Sequence, residues 1–118
     1  MAPIDFDYLA LISDNDREFE AELLSVYITD SEKHLNLAAQ AILESDYSSL
    51  AKESHHLKGA SGNVGAIELQ ALAQELEDDA KSQNLDSAKE KIDRMMEQFT
   101  VIKQLFQVRY GDQEIPSN

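Results

Sequence analysis

Apolar residues recur at three- and four-residue steps along most of the chain, which is the spacing of one face of an α-helix. The pattern predicts a short helix in the segment IDFDYLALI and four longer helices after it. Either Asp14 or Asn15 is expected to cap the second helix, which runs to about Ser45. Asp46 is the predicted N-cap of the third helix, and Asn84 begins the fifth.

Each long helix carries one apolar stripe that is expected to face the core. The third helix is predicted to end near Ser61, before two glycines at positions 62 and 65, and the fifth ends near Gly111. The predicted core-facing residues are, in chain order, Leu24, Ile28, Ser31, Leu35, Ala38, Ile42, Leu50, Ser54, Leu57, Ser61, Leu69, Leu72, Ala73, Leu76, Ala80, Ala88, Ile92, Met95, Phe99, Ile102 and Phe106.

The helical stripes indicate the fold class. No alternating run rich in Val, Ile or Thr is present, and short connections between long helices favour antiparallel neighbours. We therefore predict an all-α protein, an antiparallel up-and-down four-helix bundle with a short N-terminal helix covering one end. Residues 1–111 form the single domain, and residues 112–118 are expected to be a flexible tail. The stripes could also form the seam of a dimer, but they can bury one another within one chain, so a monomer is expected.

Charge and composition narrow the classes of partner. Ten basic and twenty-three acidic residues among 118 give a net charge of −13, which repels the phosphates of nucleic acids and anionic membrane surfaces. No cysteine is present, so disulfides and thiolate metal sites are excluded. The N-terminal segment MAPIDFDYLALIS lacks the basic start and long apolar run of a secretory signal. These features predict a soluble cytoplasmic protein.

The segment SHHLKGASGNVGA, residues 54–66, departs from the plain acidic helices around it. With about 100° per residue and Leu50 facing the core, His55 points outward, about 140° from Leu50, and Gly59 lies next to it on the same face with Gly62. A glycine within a helix costs roughly 1 kcal/mol relative to alanine, so Gly59 should have a compensating use. Its bare surface would let a large group approach the imidazole, while Lys58 supplies positive charge for an anion. A phosphoryl group fits this description, because a neutral imidazole has a free nitrogen that can attack phosphorus near pH 7.

These residues carry a resemblance to histidine phosphotransfer (HPt) domains, whose signature is H-x-L-K-G-x-S-x-x-x-G. The likeness in helix order and length extends from about residue 5 to residue 109. Alignment on the Lys-Gly pair makes His55, and not His56, the counterpart of the residue that is phosphorylated in the family. The matching residues are His55, Leu57, Lys58, Gly59, Ser61 and Gly65.

The resemblance implies a phosphorelay carrier without kinase activity of its own. Such a carrier takes a phosphoryl group from an aspartate of a receiver domain, as in a hybrid histidine kinase, and passes it to the receiver of a response regulator. The receiver brings Mg²⁺, so no cofactor is expected on this chain. Family members often carry a Gln or Glu on the next helix that contacts the far ring nitrogen; Glu77 has the corresponding spacing, with Gln74 as its neighbour.

Receivers dock on this family through an apolar patch around the histidine. The resemblance makes Tyr8, Leu9, Ile12, Ala60 and Gly62 the candidates here. The sequence leaves open whether the protein works alone or forms part of a hybrid kinase, although Met1 and the short tail favour a free protein.

The sequence also allows two other classes of function to be compared with a phosphorelay carrier. An acidic helical interaction module with an incidental histidine is the alternative. On either interpretation His34 is expected to be an ordinary residue, His56 a surface or boundary histidine, and Ser61 a core-facing residue that bonds to its own helix backbone. A di-iron site would need a second copy of the Glu53-x-x-His56 spacing, and the sequence has none. No metal site is therefore predicted.

Overall fold

The computed structural model describes residues 3–111, and all of its regular structure is helical. Residues 1–2 and the predicted tail, residues 112–118, lie outside the described residues. Within the described range, no helix is long and apolar enough to span a membrane. The helices are α1 (Phe6–Ile12), α2 (Arg17–Leu43), α3 (Tyr47–Asn63), α4 (Ile67–Lys81) and α5 (Leu85–Tyr110).

Side-chain caps set the starts of four helices, as their sequences indicate. Asp46 and Asn84 cap α3 and α5 as predicted, but the cap of α2 is Asp16, whose carboxylate accepts a hydrogen bond from the Phe19 backbone N–H. The prediction of Asp14 or Asn15 is wrong. Both residues have φ near +60°, at 56° and 59°, so they form the left-handed turn that ends α1, and the helix begins after it.

The C-terminal end of α3 differs from the prediction because Gly62 does not end the helix. The helix continues through Asn63, and the break comes at Gly65, which has φ +76°. A Cβ atom on Gly65 would also lie 2.6 Å from Cδ2 of Tyr8. Position 65 therefore requires glycine for two reasons: its backbone is left-handed, and Tyr8 of α1 lies too close for a side chain.

The four long helices surround the core, and each packs against two of the others. α2 packs against α3 and α5, α4 packs against the same two helices, and α1 contacts α2. All of the predicted core-facing residues are buried except Ile42, which is partly buried at the edge of the core. The stripe pattern is therefore confirmed along α2 to α5.

Ser61 is one of the few polar residues in this core. Its hydroxyl is paired with the hydroxyl of Tyr27, 2.8 Å away on α2, whereas the sequence suggested a bond to the backbone of its own helix. Ser54 does bond to its own helix, through the Leu50 carbonyl at 2.6 Å. The difference arises because Tyr27 brings a buried hydroxyl that also needs a partner, and burial raises the pKa of that phenol. The hydrogen bond between Tyr27 and Ser61 therefore joins α2 to α3 inside the core.

Candidate functional site

His55 stands on the outward face of α3 and is the most exposed of the three histidines, with 70% of its side chain accessible. One turn further along, a Cβ atom placed on Gly59 would have no heavy atom within 4 Å. The imidazole can therefore be approached from solvent over the bare backbone at position 59. Gly62, predicted to lie open on the same face, is partly covered, because a Cβ there would meet Nε2 of Gln70 at 2.8 Å.

Helix α4 places a carboxylate against the inner edge of the imidazole. Oε2 of Glu77 lies 3.4 Å from Nδ1 of His55, and Glu77 is buried between α3 and α4 with 8% of its surface exposed. An ionised carboxylate can only accept hydrogen bonds, so this contact favours the ring tautomer that carries hydrogen on Nδ1. The other ring nitrogen, Nε2, is then unprotonated.

Lys58 reaches across to the same carboxylate. Its ammonium lies 3.0 Å from Oε1 of Glu77 and 3.1 Å from Oε1 of Gln74. Burial works to raise the pKa of the Glu77 carboxyl, but the hydrogen bond from Lys58 and the charges of Lys58, Lys81 and His55 outweigh it, and the pKa is lowered. Glu77 is thus held as a carboxylate, with one oxygen toward Lys58 and the other toward His55.

The residues proposed for docking divide into exposed and buried positions. Tyr8 and Ile12 each expose 38% of their surface, whereas Leu9 is fully buried. Leu9 is therefore wrong as a docking residue, because it lies on the face of α1 that packs into the core. Ala60 is partly buried, packs against the core and lies one turn after His56 on α3.

A second group of chemistry-bearing side chains lies between α2 and α3. His34 and His56 stack with ring centroids 3.7 Å apart, and Asp30 and Glu53 contact their nitrogen atoms. Two spacings in the sequence place an acidic residue and a histidine on one face of a helix. Asp30 lies four residues before His34, and Glu53 lies three residues before His56. Neither spacing shows that the two pairs meet, because they belong to different helices.

The chain is similar to proteins of a known family. The family model for the Hpt domain matches residues 22–108. The chain belongs to the Hpt domain family. This match contains α3, α4 and most of α2 and α5, and therefore both His55 and the carboxylate beside it. The chain is a histidine phosphotransfer domain of the kind that works in multistep phosphorelays.

Individual relatives agree with the family match. HptB, a histidine-containing phosphotransfer protein from Pseudomonas aeruginosa PAO1, has a TM-score of 0.83 and 29% identity, with 94% of this chain and 97% of that chain covered. The HPT domain of a sensor hybrid histidine kinase from Shewanella has a TM-score of 0.74 over 96% of this chain and 97% of its own. At 18% identity, the second likeness shows the fold alone.

A curated relative is the phosphorelay intermediate protein rdeA of Dictyostelium discoideum. It is 30% identical over 83 residues, which are 70% of this chain and 31% of that protein. The chain thus spans about a third of the length of that relative.

Proposed function

We propose that His55 is the residue of this Hpt domain that carries the phosphoryl group, and that it exchanges this group with aspartates of receiver domains. The observation that carries the proposal is the exposed ring of His55 beside an open Gly59, with Glu77 against Nδ1. Exposure is needed because the phosphorus must come within bonding distance of the ring while bound to another protein.

The geometry supports attack by Nε2. Its lone pair forms the N–P bond as the bond between phosphorus and the receiver aspartate oxygen breaks, and the aspartate leaves as a carboxylate. The hydrogen on Nδ1 stays in place, so the phosphorylated ring is positively charged, and Glu77, 3.4 Å away, stabilises that charge. In the return step the phosphoryl group passes to another aspartate carboxylate and the ring becomes neutral again.

Lys58 and Glu77 act as positioning residues in this proposal. Lys58 is hydrogen-bonded to Glu77, so its direct role is to hold the carboxylate in place and lower its pKa. Its positive charge also partly balances Glu77 when a phosphoryl group with its own negative charge arrives. Mg²⁺ and the acidic pocket that neutralises the transferred group belong to the receiver, and this chain contributes no cofactor and no kinase activity.

The partners in this proposal are the receiver domain of a hybrid histidine kinase and those of response regulators, which meet a monomer of this chain in the cytoplasm. Tyr8 and Ile12 on α1 and Ala60 on α3 are the apolar residues that we assign to the docking surface. The proposed topology that positions these residues is an antiparallel up-and-down bundle of α2 to α5. In it, α1 covers the end where Gly65 meets Tyr8.

The test is phosphate transfer from receivers loaded with labelled acetyl phosphate. We expect acid-labile, base-stable label on the wild-type protein and its complete loss in His55→Gln, with label retained in the matched control His56→Gln. Loss of label in the His56 variant instead would contradict the choice of ring. Unchanged signalling by His55→Gln in cells would favour the acidic interaction module over the carrier.

A further inference from the structure

The group between α2 and α3 brings two imidazoles and a carboxylate together at one point. Nε2 of His56 lies 2.7 Å from one oxygen of Asp30, and Nε2 of His34 lies 3.4 Å from the other. These three ligand atoms all lie within 4.8 Å of one another. The three side chains are partly exposed, so an ion can reach them from solvent.

Glu53 determines which nitrogen of His34 faces this point. Its carboxylate lies 2.5 Å from Nδ1 of His34, and a carboxylate accepts a hydrogen bond, so Nδ1 is the donor. A neutral His34 then presents the lone pair of Nε2 to Asp30. That lone pair faces Oδ1 of Asp30 at 3.4 Å, where it can bind an ion placed between the two atoms.

One of the two ligand distances is already close to that of a tetrahedral ion. Zinc bonds of about 2.0–2.1 Å to nitrogen and oxygen place two tetrahedral ligands about 3.3 Å apart. Nε2 of His34 lies 3.4 Å from Oδ1 of Asp30, whereas Nε2 of His56 is hydrogen-bonded to Oδ2 at 2.7 Å. Binding of the ion therefore requires His56 to release the hydrogen on Nε2 and the two stacked rings to turn toward one point, which their partial exposure allows. Asp30 and His34 are four residues apart on one helix, which holds two of the ligands on one face.

We propose that Asp30, His34 and His56 bind a divalent transition-metal ion of the zinc class, with Glu53 as the residue that orients His34. Two imidazoles and one carboxylate suit such ions better than Ca²⁺ or Mg²⁺, which prefer oxygen ligands. A carboxylate on the far nitrogen of a metal-binding histidine is the usual way to fix its tautomer. The net charge of −13 attracts cations to the protein. The site is distinct from His55 and clamps α2 to α3.

The sequence predicts no metal because Glu53 and His56 lie on one helix and no second Glu-x-x-His spacing is present. The structure assigns Glu53 a different role and adds ligands from α2. Asp30 and His34 precede His56 by more than twenty residues, so no local spacing indicates the site.

The experiment is calorimetric titration of the tag-free, metal-stripped protein with Zn²⁺, together with Co²⁺ titration followed by visible absorption. We expect one Zn²⁺ per chain, a tetrahedral Co²⁺ spectrum and a higher thermal midpoint with Zn²⁺. Asp30→Asn and His56→Gln should lose more affinity than Glu53→Gln, which should lose about 10–100-fold as an orienting residue. His55→Gln, the matched histidine on the same helix, should bind like the wild type.

Three outcomes would overturn the site: no Zn²⁺ binding by the wild type, equal affinity in His56→Gln, or a loss of affinity in His55→Gln. The last would place the ion at the exposed histidine. Circular dichroism of each variant separates loss of a ligand from loss of the fold, and a folded His56→Gln protein with wild-type affinity counts against the proposal.

Discussion

His55 and His56 are consecutive residues on one helix, yet their surroundings are opposite. His55 exposes 70% of its side chain and has a carboxylate 3.4 Å from one ring nitrogen. His56 exposes 43%, lies 2.7 Å from Asp30 and stacks on His34. A step of about 100° along the helix turns one ring toward an open face and the other toward α2. The comparison teaches that adjacent histidines can differ sharply in access from solvent, because one helix step decides whether a second helix packs beside the ring.

The largest expected effect is on the rate of phosphoryl transfer, when a side chain covers the open face of α3 beside His55. Gly59→Glu would place a long, charged side chain beside the ring and keep a receiver from reaching bonding distance. Because small displacements of reacting groups can cost about 100-fold in rate, we expect transfer from a phosphorylated receiver to slow by that order. Rapid-quench measurement of labelled protein gives the rate.

Gly59→Ala is the matched control for this change. The added Cβ meets no atom within 4 Å, so transfer should stay near the wild-type rate. The helix should gain about 0.5–1 kcal/mol in its free energy of unfolding, since alanine favours helix over glycine. Equal transfer rates in the alanine and glutamate variants would show that the open surface at position 59 is not needed.

Substitutions between α2 and α3, at His34 or His56, should lower the free energy of unfolding and leave phosphoryl transfer intact. His34→Ala removes the partner of Glu53, a partly buried residue whose side chain is only 12% exposed, and an acceptor shielded from water that loses its partner costs up to about 1–3 kcal/mol. Urea denaturation followed by circular dichroism measures this loss. His56→Ala, which breaks a more exposed pair, should cost at most about 1 kcal/mol.

Neither variant should reduce the label accepted from a receiver under conditions where the protein is folded. A loss of label in folded His34→Ala would mean that the two faces of α3 are coupled and would break the contrast between them.

The smallest effect concerns pH and the carboxylate beside His55. Since the folded-state pKa of Glu77 lies below its ordinary value of 4.5, its ionised form contributes stability above that value and loses the contribution as the pH falls through the lowered pKa. The difference in free energy of unfolding between the wild type and Glu77→Gln should therefore be larger at pH 7 than at pH 3. A difference that does not change with pH would contradict the lowered pKa.

Much of the fold was predictable because it depends on local periodicity. The stripes of α2 to α5 follow from a 3.6-residue repeat, and the caps at Asp46 and Asn84 follow from side chains that can accept an N–H bond at a helix start. The cap of α2 was misplaced because three polar residues, Asp14 to Asp16, could each fill it. Asp14 and Asn15 form a left-handed turn in the structure, and this turn leaves Asp16 as the N-cap of α2.

The candidate site was predictable in part for the same reason. The outward direction of His55 and the open surface at Gly59 depend on one helix, and the family resemblance pointed to Glu77 on the next. The pairing of Lys58 with Glu77, the cover of Gln70 over Gly62 and the burial of Leu9 depend on how helices pack against each other.

By itself, the sequence determined the helical class, the core-facing stripes and the choice of His55 as the exposed ring, because each is a property of residues within a few turns of one another. The tertiary structure decided the partners: Glu77 and Lys58 beside His55, Tyr27 on Ser61, and the meeting of His34 with His56. Their contacts join residues 19 to 34 positions apart, and the distance between such side chains is set by the packing of whole helices.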